Sequence, residues 1–149
     1  MKEQIDKDLK EALLAGDKPK VETLRGIKAA ILNEEVAQNT RDSGLSDDQI
    51  QNILAKESKK RQEAADLYKQ GGSPDRADAE LAEKGIIDSY LPEQMSEEDI
   101  AKLADEAITA TSASGIQDMG KVIGAVKAKA GNSADGSVIA RVVKEKLSQ

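Results

Sequence analysis

Apolar positions in this chain recur every three to four residues, and hardly anywhere every second one. Ile5, Leu9, Ala12 and Leu13 follow the spacing of one helix face, and Gly16 is placed to end that helix. Pro19 suits a first helical turn. It opens a second helix carrying Leu24, Ile27, Ile31 and Leu32 to about Glu35. Residues 37–45 are polar and contain glycine, which predicts a loop. Ser46 followed by Gln49 has the form of a capping box. The helix it opens runs to about Gln70, where Gly71-Gly72-Ser73 breaks it and Pro74 starts a fourth with Ala79, Ile86, Ile87 and Tyr90 on one face.

The stretch Tyr90-Leu91-Pro92-Glu93-Gln94-Met95-Ser96 interrupts this rhythm. Pro92 cannot extend a helix and pushes Leu91 toward extended backbone. Ser96 then caps a fifth helix whose first turn holds Glu97, Glu98 and Asp99, where carboxylates complement the helix dipole. Ile100, Leu103, Ala104, Ala107, Ile108 and Thr111 form the cleanest apolar stripe in the chain. After a turn at 112–115, Met119, Val122, Ile123 and Val126 give a sixth helix closed by Gly131. Val138, Ile139, Val142, Val143 and Leu147 give a seventh. The last two are rich in β-branched residues, so strand is the competing reading, but their pairing favours helix. The pattern predicts an all-α protein. An N-terminal helical bundle (1–91) is joined by a hinge at Tyr90, Leu91 and Pro92 to a small C-terminal three-helix domain (96–149).

Composition narrows the chemistry. The 149 residues include no Cys, His, Trp or Phe. Thiol nucleophiles and disulfides are excluded. The commonest general base and metal ligand is missing, and almost nothing is left for stacking bases. No metal site, cofactor or nucleotide is expected. No apolar run suggests a leader or a membrane span, which points to the cytoplasm and away from the membrane.

The net charge of −6 argues against nucleic acid on its face, yet it is unevenly spread. Residues 93–118 hold one basic and seven acidic groups, whereas residues 119–149 hold six basic and two acidic. The terminal segment is a basic island on an acidic chain.

Three constellations stand out. On the third helix Glu57 and Arg61 fall inside the apolar arc of Ile50, Ile53, Leu54, Ala64 and Tyr68, and on the second Lys28 and Glu35 fall among Leu24 and Ile31. Four charges facing a core read either as a structural ionic cluster, Glu57–Arg61 with a cross-helix partner from Lys28 or Glu35, or as a paired-carboxylate site. The structural reading is preferred, because ion-pair networks mimic active sites.

Gly115 to Gly120-Lys121 has phosphate-loop spacing, but Val122 stands where a Ser or Thr hydroxyl is needed and no strand precedes it. Gly120 and Gly124, four apart, are better read as a site of close helix approach. Lys121, Lys127, Lys129, Arg141, Lys144 and Lys146 are either solvated helix faces or a phosphate-contacting patch that grips by charge and shape. Asp118 and Asp135 are placed to cap the last two helices.

Five motifs in order carry a resemblance. They are Leu24-Arg25-Gly26-Ile27-Lys28-Ala29-Ala30-Ile31, Lys56-Glu57-Ser58-Lys59-Lys60-Arg61-Gln62-Glu63-Ala64, the Tyr90–Ser96 stretch, Asp118-Met119-Gly120-Lys121-Val122-Ile123-Gly124 and Ala134-Asp135-Gly136. Together they resemble the YqeY family over nearly the whole chain. That family is similar to the C-terminal tail of the B subunit of the aspartyl/glutamyl-tRNA amidotransferase.

The resemblance implies an all-α fold and an accessory protein that contacts tRNA, without the amidotransferase's catalytic domains; the charge distribution then points to Lys121, Lys127, Lys129, Arg141 and Lys144 as the contact residues. The partner is then tRNA or a translation-related protein. Two alternatives stay open: a helical protein-interaction adapter, and a family-level carbon–nitrogen ligase using glutamine as amido-nitrogen donor.

Overall fold

A computed structural model describes residues 1–149. The chain is all-α, with seven helices, two short 3₁₀ turns and no strand. The helices are α1 (Lys2–Ala15), α2 (Lys18–Ala37), α3 (Asp47–Gln70), α4 (Pro74–Asp88), α5 (Glu97–Thr111), α6 (Met119–Ala130) and α7 (Gly136–Leu147). Helix, not strand, is the outcome for the β-branched terminal segments. No helix is long and apolar enough to cross a membrane. The chain divides into two compact units, Met1–Leu91 and Pro92–Gln149.

Local chemistry explains the helix ends. Gly16 adopts φ 69°, the left-handed conformation that closes α1, and its N–H reaches back to the last turn. At the start of α3 the Gln49 N–H donates to Ser46 Oγ (3.2 Å), and the Ser46 N–H donates to Gln49 Oε1 (2.9 Å), a reciprocal box. Ser96 Oγ accepts the Asp99 N–H at 3.1 Å to open α5. Asp135 caps α7 through the Ser137 N–H. Asp118 does not cap α6: its carboxylate accepts the Ser114 N–H at 3.0 Å, closing the turn before the helix.

The N-terminal unit is built on Ile5, Leu24, Ile27, Ile31, Ile50, Leu54 and Ile87, all buried. α1 packs along α2, and α3 and α4 form a long hairpin. Several expected core positions moved. Leu13 and Leu32 are exposed. In the hairpin, Ala65 and Ala77 are fully buried while Ala79 is exposed. α3 and α4 approach closely, so small residues occupy their line of contact.

Within this unit the four charges of the anticipated ionic cluster are each held by other partners. Glu35 is 1% exposed and accepts from Lys2 Nζ at 2.7 Å. Lys28 pairs with Asp6 at 2.6 Å, and Glu57 takes Lys60 at 2.8 Å. Arg61 reaches across the hairpin to Glu83 (3.2 Å) and Glu80 (3.8 Å). The reason is topological. Lys28 and Glu35 flank the seam with α1, whereas Glu57 and Arg61 belong to the half of α3 that packs on α4.

The segment after α4 is held at both ends. Tyr90 and Leu91 pack against the N-terminal core, and the Tyr90 hydroxyl donates to Asp8 Oδ2 on α1. The Met95 N–H donates to the Ser133 carbonyl at 2.7 Å, and Gln94 Nε2 to the Asn132 carbonyl at 3.0 Å.

The Tyr90 contact has a pH signature. The hydrogen bond from Tyr90 holds the Asp8 carboxyl below its ordinary range. Burial first, then the Asp8 bond and charge, push the Tyr90 phenol above its ordinary value. The Asp8 contribution to stability is present above the unfolded carboxylate pKa, about 3.9, and is lost as pH falls through the lowered folded value. That of Tyr90 is present below the unfolded phenol pKa, about 10, and is lost as pH rises through the raised one. In a Tyr68→Phe variant, ultraviolet absorbance then follows Tyr90 alone. Its midpoint is expected well above about 10, and an ordinary midpoint would place the hydroxyl in water.

Candidate nucleic-acid interface

The C-terminal unit folds around Ile100, Ala104, Ala107, Val122, Val126, Ile139, Val142 and Val143. Each helix gives one stripe to this core and turns its polar side outward, as the 3.6-residue period dictates. The basic residues of α6 and α7 therefore lie outside the core, but they are not equivalent.

Half of them are neutralised from α5. Lys129 binds Glu106 at 3.1 Å and Lys146 binds Asp105 at 2.8 Å. Arg141 pairs with Glu97 and, at 3.4 Å, with Glu145 on its own helix. The Glu97 charge is the main cause holding the Arg141 guanidinium above its ordinary pKa. Lys121, Lys127 and Lys144 have no such partner. The charge count along the sequence suggested six available cations, but folding α5 against α6 and α7 leaves three.

Gly120 and Gly124 overturn the expectation of close helix approach. A Cβ built at either would meet nothing within 4 Å. At 100° per residue they lie on the side of α6 away from Val122, Val126 and Ala130, and Ala128 continues the row. The exposed face of α6 is thus a smooth strip of two glycines and an alanine, with Lys121 and Lys127 on its two edges. Lys127 extends over the start of α7, its Nζ 3.4 Å from the position of a Gly136 Cβ.

The segment with phosphate-loop spacing is a 3₁₀ turn, Ile116–Asp118, placed between α5 and α6 with no strand before it. No group of three or more acidic side chains is gathered to hold a metal ion. The smooth strip was legible in the sequence only as two glycines four apart; which side of the helix they faced was not.

The family model described as "Yqey-like protein" matches residues 2–147. A curated relative, "Altered inheritance of mitochondria protein 41, mitochondrial" from Eremothecium gossypii, is 32% identical over 103 residues. That alignment covers 68% of this chain and 55% of the relative, so the chain matches about half of the relative's length. With nearly the whole chain matched and the all-α architecture in place, the chain belongs to the YqeY-like family.

Proposed function

We propose that the protein is a tRNA-associated accessory factor whose C-terminal unit contacts the sugar-phosphate backbone and performs no chemistry itself. The observation that supports this is the α6 face: a strip without bulky side chains, edged by the unpaired Lys121 and Lys127. A helix bare of side chains admits a backbone close to its own, and lysines alongside it neutralise phosphates without reading bases. Lys144 on α7 adds a third unpaired cation. The reading needs only a compartment that holds tRNA.

A fluorescence titration with bulk tRNA at two or more salt concentrations tests it. With three lysines each neutralising one phosphate, log K against log salt should have a slope of roughly −2 to −3, and about twice that if Lys129, Arg141 and Lys146 leave their carboxylates to join. Changing Lys121, Lys127 and Lys144 together to Ala should weaken binding about tenfold or more at low salt and barely move the thermal midpoint. The same change at Lys7, Lys10 and Lys18 should matter less.

Gly124→Ala separates binding from folding. It should raise stability by about 0.5–1 kcal/mol, because alanine is the better helix former and meets no neighbour, yet weaken tRNA binding. Wild-type affinity no greater than that of a neutral control protein at low salt would refute the proposal.

A further inference from the structure

One side of the α1–α2 hairpin carries two grooves. The first, about 240 Å³, has Ile5, Ala29, Ile31 and Leu32 in its lining, with Glu35 and the Lys2 that covers it. The second, about 250 Å³, has Leu13 and Val21 beside the charged Lys18, Glu22 and Arg25. They lie at opposite ends of the same seam, about 15 Å apart along α2 at 1.5 Å per residue. Exposed aliphatics stand beside both: Leu32 (43% exposed) and Val36 (55%) near the first, Leu13 (48%) at the second. Between them α2 is small, with Ala29 exposed and Gly26 open, a Cβ there meeting nothing within 4 Å.

Small in the middle and aliphatic at both ends is a self-complementary profile. A two-fold axis between Gly26 and Ala29 runs α2 antiparallel to its copy and sets Leu13 of each chain against Leu32 and Val36 of the other.

The charges point the same way. α2 has no acidic residue in its first turn and no basic one in its last. At its positive end Asp17 accepts the Lys20 N–H, yet Lys18, Lys20 and Arg25 outnumber Asp17 and Glu22; at its negative end Lys2 neutralises the buried Glu35, which leaves Glu34. An antiparallel copy reverses that field, bringing the carbonyl end of one α2 beside Lys18 and Arg25 of the other, neither of which has a side-chain partner within the chain. Near the axis the Lys28–Asp6 pair leaves no net charge.

We infer that the α1–α2 face is the surface through which two copies of this chain associate, antiparallel about the Gly26–Ala29 stretch. A contact one helix pair wide along α2 covers on the order of 400–600 Å² per copy, below the size of stable interfaces and within that of weak, transient ones. The dimer is weak, with a Kd of roughly tens to hundreds of micromolar.

Sedimentation velocity on the intact chain from about 10 μM to 1 mM, spanning that range, tests it. Wild type should pass from monomer to dimer. Leu13→Lys and Leu32→Glu, both at exposed positions, should keep the wild-type thermal midpoint and each weaken association at least tenfold. Mixing the two variants should restore it, since the mixed pair has one unchanged end and one Lys–Glu end. Leu67→Lys, on another exposed position of the N-terminal unit, should dimerise as wild type does. A wild type that stays monomeric throughout overturns the inference, and so do single variants that associate normally or a mixture that does not recover.

Discussion

Ile139→Ala is expected to melt the C-terminal unit ahead of the N-terminal one. Ile139 is fully buried among Val122, Val126 and Val143. Removing its three outer carbons costs the lost transfer energy and leaves a cavity, together about 3 kcal/mol. A unit this small commands only about 3–5 kcal/mol from a single core. The substitution therefore brings it close to half-unfolded at room temperature. The N-terminal core of Ile5, Leu24, Ile27, Ile31, Ile50, Leu54 and Ile87 shares none of those residues, so its helices should persist. Thermal circular dichroism should show two steps where wild type shows closer ones, and amide exchange should find protection kept only in residues 1–91. A single step that carries the whole chain down would mean that the two cores stand or fall together.

Arg61→Met carries the second large effect. The guanidinium lies between Glu80 and Glu83, and all three side chains are 21–30% exposed. Removing the cation leaves two half-buried carboxylates on successive turns of α4, facing each other and the apolar methionine. Full burial would put the loss at 3–5 kcal/mol. Partial access to water lowers the expectation to about 2 kcal/mol. Arg61→Lys, which keeps the charge but not the planar fork, should lose about half as much. Chemical denaturation measures both, and a loss for Arg61→Met below about 0.5 kcal/mol would make Arg61 an ordinary surface residue.

Most of the fold was legible because helix ends are local. Gly16, the Ser46–Gln49 box, Pro74, Ser96 and Asp135 mark their boundaries through the backbone groups beside them. Partner choice is not local, and there the reading thinned. The arc on α3 turned Arg61 toward the core, whereas it is 30% exposed and its partners come from α4, across a turn. The line of contact runs through Ser58, Ala65 and Ala77, which are too small to register in an apolar pattern. The basic island was counted correctly, but its neutralisation depends on Glu97, Asp105 and Glu106, which only packing brings alongside. The bare face of α6 was misread for a related reason: spacing tells which residues share a side of a helix, not whether that side is covered.

The polar seam between α3 and α4 also acts as a length gauge. α3 has 24 residues and α4 has 15, so α4 lies on a rail about 13 Å longer than itself at 1.5 Å per residue. The short turn at 71–73 and the buried Ile87 at the far end of α4 locate it on that rail, and the small Ala65 and Ala77 between them add little preference. Ser58 donating to Asp88, which also holds Lys84 at 2.5 Å, and Arg61 between Glu80 and Glu83 fix two points on it. A slip of one turn, about 5.4 Å, would break both at once and strand their charges against apolar neighbours. Ion pairs thus reinforce the alignment of the hairpin, and with it the place where α4 delivers Tyr90 to Asp8.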